Sequence, residues 1–216
     1  SDVEQNALDQ YLKNRGRLLV LLDAHAQSGL DPLLKHWGVQ VDDDLVMRKA
    51  GALLGTELLD VNAVVATYGS HPVTAKFAGT NTEFPYARSV RRAPKSEGAT
   101  ADQPRVTELL KTSSQYWGET DADSERSAFD PSKDLPGPLS LAVAVEDGQP
   151  RGADVDLGVT RMVVVGSSGF ADNSSLIGGN LDFFMSALNW LLDRKERFAV
   201  GPKTPQEFRL DMTLQQ

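Results

Sequence analysis

Three stretches of this 216-residue chain predict a three-layer α/β domain built on a mainly parallel sheet. Arg17 to Asp23 (RLLVLLD) is a continuous apolar run, the mark of a strand covered on both faces. A polar loop (AHAQSG), a short helix over Leu30 to Trp37 and a second apolar start at Val39 to Val41 follow it. Together they make a strand–loop–helix–strand pattern within about 25 residues. Arg161 to Asp193 supplies the third stretch. Its β-branched run, Met162 to Val165, stops at Gly166; a Gly/Ser/Asp/Asn loop follows, then an amphipathic helix from near Asn180. Folds of this kind carry their sites on the loop after the strand.

The elements follow in order. Ala7, Leu8, Tyr11 and Leu12 have helical spacing, ended by Arg15–Gly16. In the second helix Leu30, Leu33, Leu34 and Trp37 share one side, and Gly38 stops it. Leu45 to Met47 fits a strand, whereas the Gly/Ala/Leu run at 50–59 fits no single period. Val61 to Thr67 reads as a strand, with turn chemistry after it at 68–72. Glu83 to Arg92 reads as one strand with a proline bend near its start. Val106 to Thr112 and Leu139 to Val145 are further strands. The polar stretches at 93–103 and 113–138 make an irregular insertion near 93–138, interrupted by Tyr116, Trp117 and Phe129. EDGQPRGADVDLG is a hairpin or connecting loop. The reading is one α/β domain over 1–200 and a tail, 201–216, whose prolines exclude helix at its start.

Composition removes several function classes. A formal charge of −8 argues against nucleic acid as a partner, because such binding rests on neutralising phosphates. Arg88, Arg91 and Arg92 with Lys95 are the local exception, read as solvated loop charge ahead of a phosphate or acidic-partner site. The absence of cysteine excludes thiol nucleophiles, disulfides and cysteine-based metal sites. No run of about 18 apolar residues occurs, so no helical span is predicted. The chain opens on SDVEQNALDQYL, without initiator Met or apolar leader, and is expected to be a piece of something longer.

The loop Gly166–Ser167–Ser168–Gly169 is the first candidate site. Backbone amides between a strand and a helix can hold an anion. The spacing nevertheless matches neither GxGxxG, nor GxxxxGK[ST], nor the GxSxG of a nucleophile elbow. A structural turn is the expectation. His25, His36 and His71 are isolated, without metal-ligand spacing. A Ser168–His25–Asp23 constellation can be drawn, but side chains two apart in one loop seldom orient each other. Asp42–Asp43–Asp44 and Glu119 to Glu125 read as solvated acidic loops, and no metal or cofactor is expected. In the last helix Asn180 is placed at the N-cap with Asp182 in the first turn. Phe184, Leu188, Leu191 and Leu192 form its core stripe, widened by Phe183, Ala187 and Trp190; Phe183 or Trp190 is the alternative partner contact.

Four segments in order resemble the GldG-type auxiliary proteins of ABC transporters. They are RGRLLVLLDAHAQSGLDPLLKHWGVQVDDDLVM, YGSHPVTAKFAGTNTEFPYARSV, SSQYWGETDADSERSAFDPSKDLPGPLSLAVAVE and RMVVVGSSGFADNSSLIGGNLDFFMSALNWLLDRKE, which cover most of the chain. The resemblance implies a flavodoxin-like or class I glutamine-amidotransferase-like fold, shared with an intraflagellar-transport domain. It implies an extracytoplasmic domain on the periplasmic side of the inner membrane. Permease and ATPase subunits would be its partners, and the tail would lead toward a membrane helix outside this sequence. Amidotransfer does not carry over, because the chain has no cysteine. Family members often show GDSDFASN where this chain has residues 166–173, so a role resting on those two acids does not carry over either. The matched positions Ser168, Phe170, Asn173 and Asn180 remain as a ligand or partner loop.

The expected function is a non-catalytic accessory domain of an ABC-type transport system. A hydrolase using the 166–173 loop with His25 or His71 is the alternative, and requires Ser167 or Ser168 within about 3 Å of a histidine. A small-ligand or glycan module at the strand ends is another. Partner binding through exposed aromatics predicts that Trp117 or Phe170 lies on the surface.

Overall fold

The computed structural model describes residues 2–53, 56–94, 103–121, 128–148 and 158–194. The chain begins with α1 (Asp2–Lys13), β1 (Arg17–Leu21), α2 (Asp31–His36) and β2 (Val39–Val41). A strand-rich middle follows: β3 (Leu45–Leu53), β4 (Thr56–Asp60), β5 (Asn62–Val64), β6 (Thr67–Tyr68), β7 (Glu83–Pro85) and β8 (Val90–Arg92). The remaining elements are β9 (Arg105–Lys111), β10 (Trp117–Glu119), β11 (Leu135–Pro136), β12 (Ser140–Asp147), β13 (Thr160–Val165) and α3 (Gly178–Leu191).

The central sheet runs β1-β13-β12-β9-β6. Only β1 and β13 are parallel, in register from Arg17 opposite Arg161 to Leu21 opposite Val165. The pairs β12–β13, β9–β12 and β6–β9 are antiparallel. So are all pairs of the smaller sheets, β11-β10-β3-β4, β2-β8 and β5-β7. This overturns the expected three-layer, mainly parallel, flavodoxin-like or amidotransferase-like architecture: the fold is mixed α/β with mostly antiparallel sheets. The physical reason lies in β12. Six consecutive residues, Ser140 to Val145, are buried, yet both neighbours of the strand are antiparallel. A continuous apolar run reports cover on both faces and says nothing about strand direction.

Alternation sorts the sheet's side chains between two cores. Val163, Val165, Ala142 and Ala144 face one core with Phe84, Phe170, Phe183, Ala187 and Trp190. Met162, Val164, Val143 and Val145 face the other with Leu12 of α1 and Leu33, Leu34 and Trp37 around α2. Two expected strands are each broken in two. Tyr86, in the left-handed region at φ 48°, separates β7 from β8, and β5 is separated from β6 at residues 65–66. The described parts of the ambiguous 50–59 stretch belong to β3 and β4, which pair antiparallel.

Candidate functional site

Because β1 and β13 are parallel, both chains leave the sheet at the same edge. Leu22 still donates to the Val165 carbonyl at 2.9 Å, and Asp23 and Gly166 follow side by side. The Asp23 carboxylate accepts the Ser168 amide at 2.6 Å and its hydroxyl at 2.7 Å, so it holds the start of the loop. Ser167, fully buried, donates to the Pro85 carbonyl at 2.7 Å. Gly166 accepts the Arg88 amide at 2.7 Å, and a Cβ at Gly166 would stand 2.0 Å from the Arg88 carbonyl oxygen. Close backbone approach therefore requires this glycine.

Beyond the serines a single 3-10 turn, Gly169–Ala171, drives Phe170 inward. Its ring lies 4.9 Å from Phe84, 5.9 Å from Phe183 and 6.3 Å from Phe184. Asp172 then caps the loop: its Oδ1 accepts the Ser174 hydroxyl and amide at 2.8 Å and the Ser175 amide at 2.7 Å. The Ser174 hydroxyl bond, followed by the backbone amides, holds the Asp172 carboxyl below its ordinary value.

The same edge carries an ordered set of charges. Arg88 is 4% exposed, and its guanidinium donates to the carbonyls of Asp42 at 2.8 Å and Ala26 at 3.1 Å. Arg91 grips both oxygens of Asp42 at 2.6 and 3.0 Å, and Arg92 donates to the Val106 carbonyl. The reading of this run as solvated charge is thus corrected for Arg88, a buried clamp on distant carbonyls; Lys95 lies outside the described residues. The acidic loop needs the same correction. Asp43 is exposed and faces His25 Nδ1 at 3.2 Å, but Asp44 is fully buried. Its Oδ1 accepts the Ser89 amide at 2.8 Å and its Oδ2 has no hydrogen-bond partner. Burial first, and the nearby Asp42 charge, push the Asp44 carboxyl up to about 6. Glu119 is also buried, accepting the Trp117 indole at 3.2 Å; residues 122–127 of that acidic segment lie outside the described residues.

The nominated positions separate. Ser168 lies at the strand ends and Asn173 is exposed. Phe170 is core at 1% exposure, and Trp117 is buried at 5%, so neither forms the predicted aromatic contact surface. Asn180 is not the N-cap, a place held by Ile177. Its buried amide instead bridges chain segments, accepting the Glu83 amide at 2.9 Å and donating to the carbonyls of Glu83 and Ser175 at 2.9 and 3.0 Å. It borders a recess of about 380 Å³ with Asn62, Asn81 and Glu83, whose carboxylate accepts both other amides at 2.6 and 2.9 Å.

No hydrogen bond joins Ser167 or Ser168 to a histidine among the described residues. Ser168 donates to Asp23, while His25 faces Asp43 and its Nε2 is buried without a partner. His36 is exposed beside Asp9. His71 borders a wide recess of about 1040 Å³ along β6. Its Nδ1 accepts the Val73 amide at 3.2 Å, and its ring meets Trp190 edge-on at 4.8 Å. Burial, then the charges of Arg161 and Arg105, lower its pKa to about 4, so it is neutral at physiological pH. Among the described residues no cluster of three or more His, Asp or Glu could hold a metal ion. Sequence reasoning missed Arg88 and Asp44, whose partners lie 46 and 45 positions away, and the bond of the Glu83 backbone amide to Asn180 97 positions away, contacts that leave no local pattern.

The N-terminal domain of mmIFT52 is a structurally similar solved protein. Its TM-score is 0.57 at 17% identity, over 88% of this chain and 71% of that one, a likeness of fold alone. No curated protein matches the sequence. What places the chain is its sequence as a whole. Residues 1–189 match the family described as an ABC-type uncharacterized transport system, and the chain belongs to that family of ABC transporter auxiliary components.

Proposed function

We propose that this auxiliary component acts as a non-catalytic, partner- or ligand-binding domain of GldG type. In this reading it stands on the periplasmic side of the inner membrane, and the full-length protein engages the permease and ATPase subunits. One observation carries the non-catalytic reading: the chain itself occupies the polar groups at the ends of β1 and β13. Ser168 is bound to Asp23, Ser167 to the Pro85 carbonyl and His25 to Asp43. A serine nucleophile is ordinarily activated by an adjacent histidine or lysine base, and here the Ser167 hydroxyl is bonded to a backbone carbonyl and the Ser168 hydroxyl to a carboxylate, with no histidine bonded to either among the described residues. The loop is a braced surface element rather than a reaction centre.

Replacing Ser168 by Ala in the full-length protein tests this directly. The account expects transport by the intact system to be unchanged while the purified variant loses a little stability. Abolished transport by a variant that still folds and assembles would sink the non-catalytic reading.

A further inference from the structure

The solvent side of α3 is apolar. Leu181, Met185 and Leu192 are 41%, 46% and 54% exposed, and Leu188 between them is partly exposed. None of the four belongs to either core, whose α3 contribution is Phe183, Ala187, Trp190 and Leu191. At about 100° per residue the four side chains fall within a sector of roughly 60°. Ile177, the N-cap residue ahead of the helix, is 69% exposed. Within Gly178–Leu191 the only charged residue is Asp182, in a chain of net charge −8.

The spacing Leu181, Met185, Leu188, Leu192 is 4-3-4, the seam of a helix that packs against another helix. That spacing is also a palindrome. Reversed, it sets Leu181 opposite Leu192 and Met185 opposite Leu188, which is the self-complementarity a two-fold interface needs. An antiparallel arrangement also opposes the helix dipoles favourably and brings the Asp182 end of each helix beside the exposed Arg194 end of the other. We infer that α3 is a homodimerisation surface, closed by antiparallel packing of the Leu181–Met185–Leu188–Leu192 seam against the same seam of a second copy. A seam of one helix per copy is at the small end of specific interfaces, so association is weak.

The test uses the 216-residue chain, which contains no cysteine. Sedimentation equilibrium from roughly 5 µM to 1 mM, the range a small interface calls for, should show a monomer–dimer equilibrium. Met185→Glu, which places like charges near the two-fold axis, should weaken it at least about tenfold with an unchanged melting temperature. Leu181→Cys mixed with Leu192→Cys should form a disulfide-linked dimer under mild oxidation, and Leu181→Cys alone should not. A monomer at every concentration overturns the proposal, whether residues 195–216 or a different protein covers the stripe. Cross-linking of Leu181→Cys to itself, with none to Leu192→Cys, overturns the antiparallel seam.

Discussion

Substituting Asp44 by Asn should change how stability depends on pH more than it changes stability at any one pH. The carboxyl is fully buried, has a single hydrogen bond at Oδ1, and is pushed from 3.8 up to about 6. The folded state therefore holds its proton more tightly than the unfolded chain does. This stabilisation is complete below about pH 4 and is lost as pH rises through 6, in total about 3 kcal/mol. His71 works in the opposite sense. Its pKa is lowered from 6.5 to about 4, so its contribution is complete above pH 6.5 and lost as pH falls through 4. That contribution is also about 3 kcal/mol. In the native protein the two oppose each other between pH 4 and 6.5, leaving stability nearly flat. Asp44→Asn keeps an acceptor for the Ser89 amide but removes the titration, and so exposes the histidine. Urea denaturation at pH 4, 5, 6 and 7, followed by far-ultraviolet circular dichroism, would measure the difference. The variant should lose about 2 kcal/mol relative to the native protein as pH falls from 6.5 to 4. Parallel profiles for the two proteins would refute the reasoning.

Four further outcomes are expected. Gly166→Ala should destabilise the fold by at least about 2 kcal/mol, because its Cβ would meet the Arg88 carbonyl oxygen at 2.0 Å, a backbone atom that cannot step aside; a denaturant midpoint within error of the native one would contradict this. Phe170→Ala should cost about 3–5 kcal/mol by leaving a void among Phe84, Phe183 and Phe184, whereas Ser168→Ala should cost about 1 kcal/mol through one lost hydroxyl bond to Asp23. For the periplasmic placement, Tyr86→Cys as the single cysteine of the full-length protein, any cysteine outside these 216 residues being replaced first, should react with a membrane-impermeant maleimide in intact cells, since Tyr86 is 63% exposed; labelling only after lysis would place the domain on the other side.

The sequence showed much of the central sheet and little of what braces it. β1, β9, β12 and β13 stand out as apolar or β-branched runs, because burying both faces of a sheet demands them. Their directions do not stand out, since chain reversal leaves a buried strand's composition unchanged. The same limit explains Arg88. Three arginines within five positions look like a surface patch, and only folding brings the carbonyls of Asp42 and Ala26 around one of them. Phe170 lies in a polar loop, where aromatic residues read as exposed, but the 3-10 turn at Gly169–Ala171 sends it into the core. On α3 apolar residues occupy the solvent side as well as the buried one, so composition could not choose the buried face. Phe183, Ala187, Trp190 and Leu191 lie in the core and Phe184 packs against it, whereas Leu192, expected in the core stripe, is exposed and Leu188 is half-buried outside both cores. Asn180 was legible as a helix-start residue but not as the bridge to Glu83, a contact spanning 97 positions.

The central claim is that this chain works inside an ABC transporter assembly without performing a reaction of its own. Affinity purification of the tagged full-length protein from native membranes, with quantitative mass spectrometry of what accompanies it, tests that claim most directly. The account predicts one permease and one ATPase in near-stoichiometric amounts, retained by the Ser168→Ala variant. Recovery of the protein alone, under detergent conditions that keep the permease and ATPase together, would contradict it.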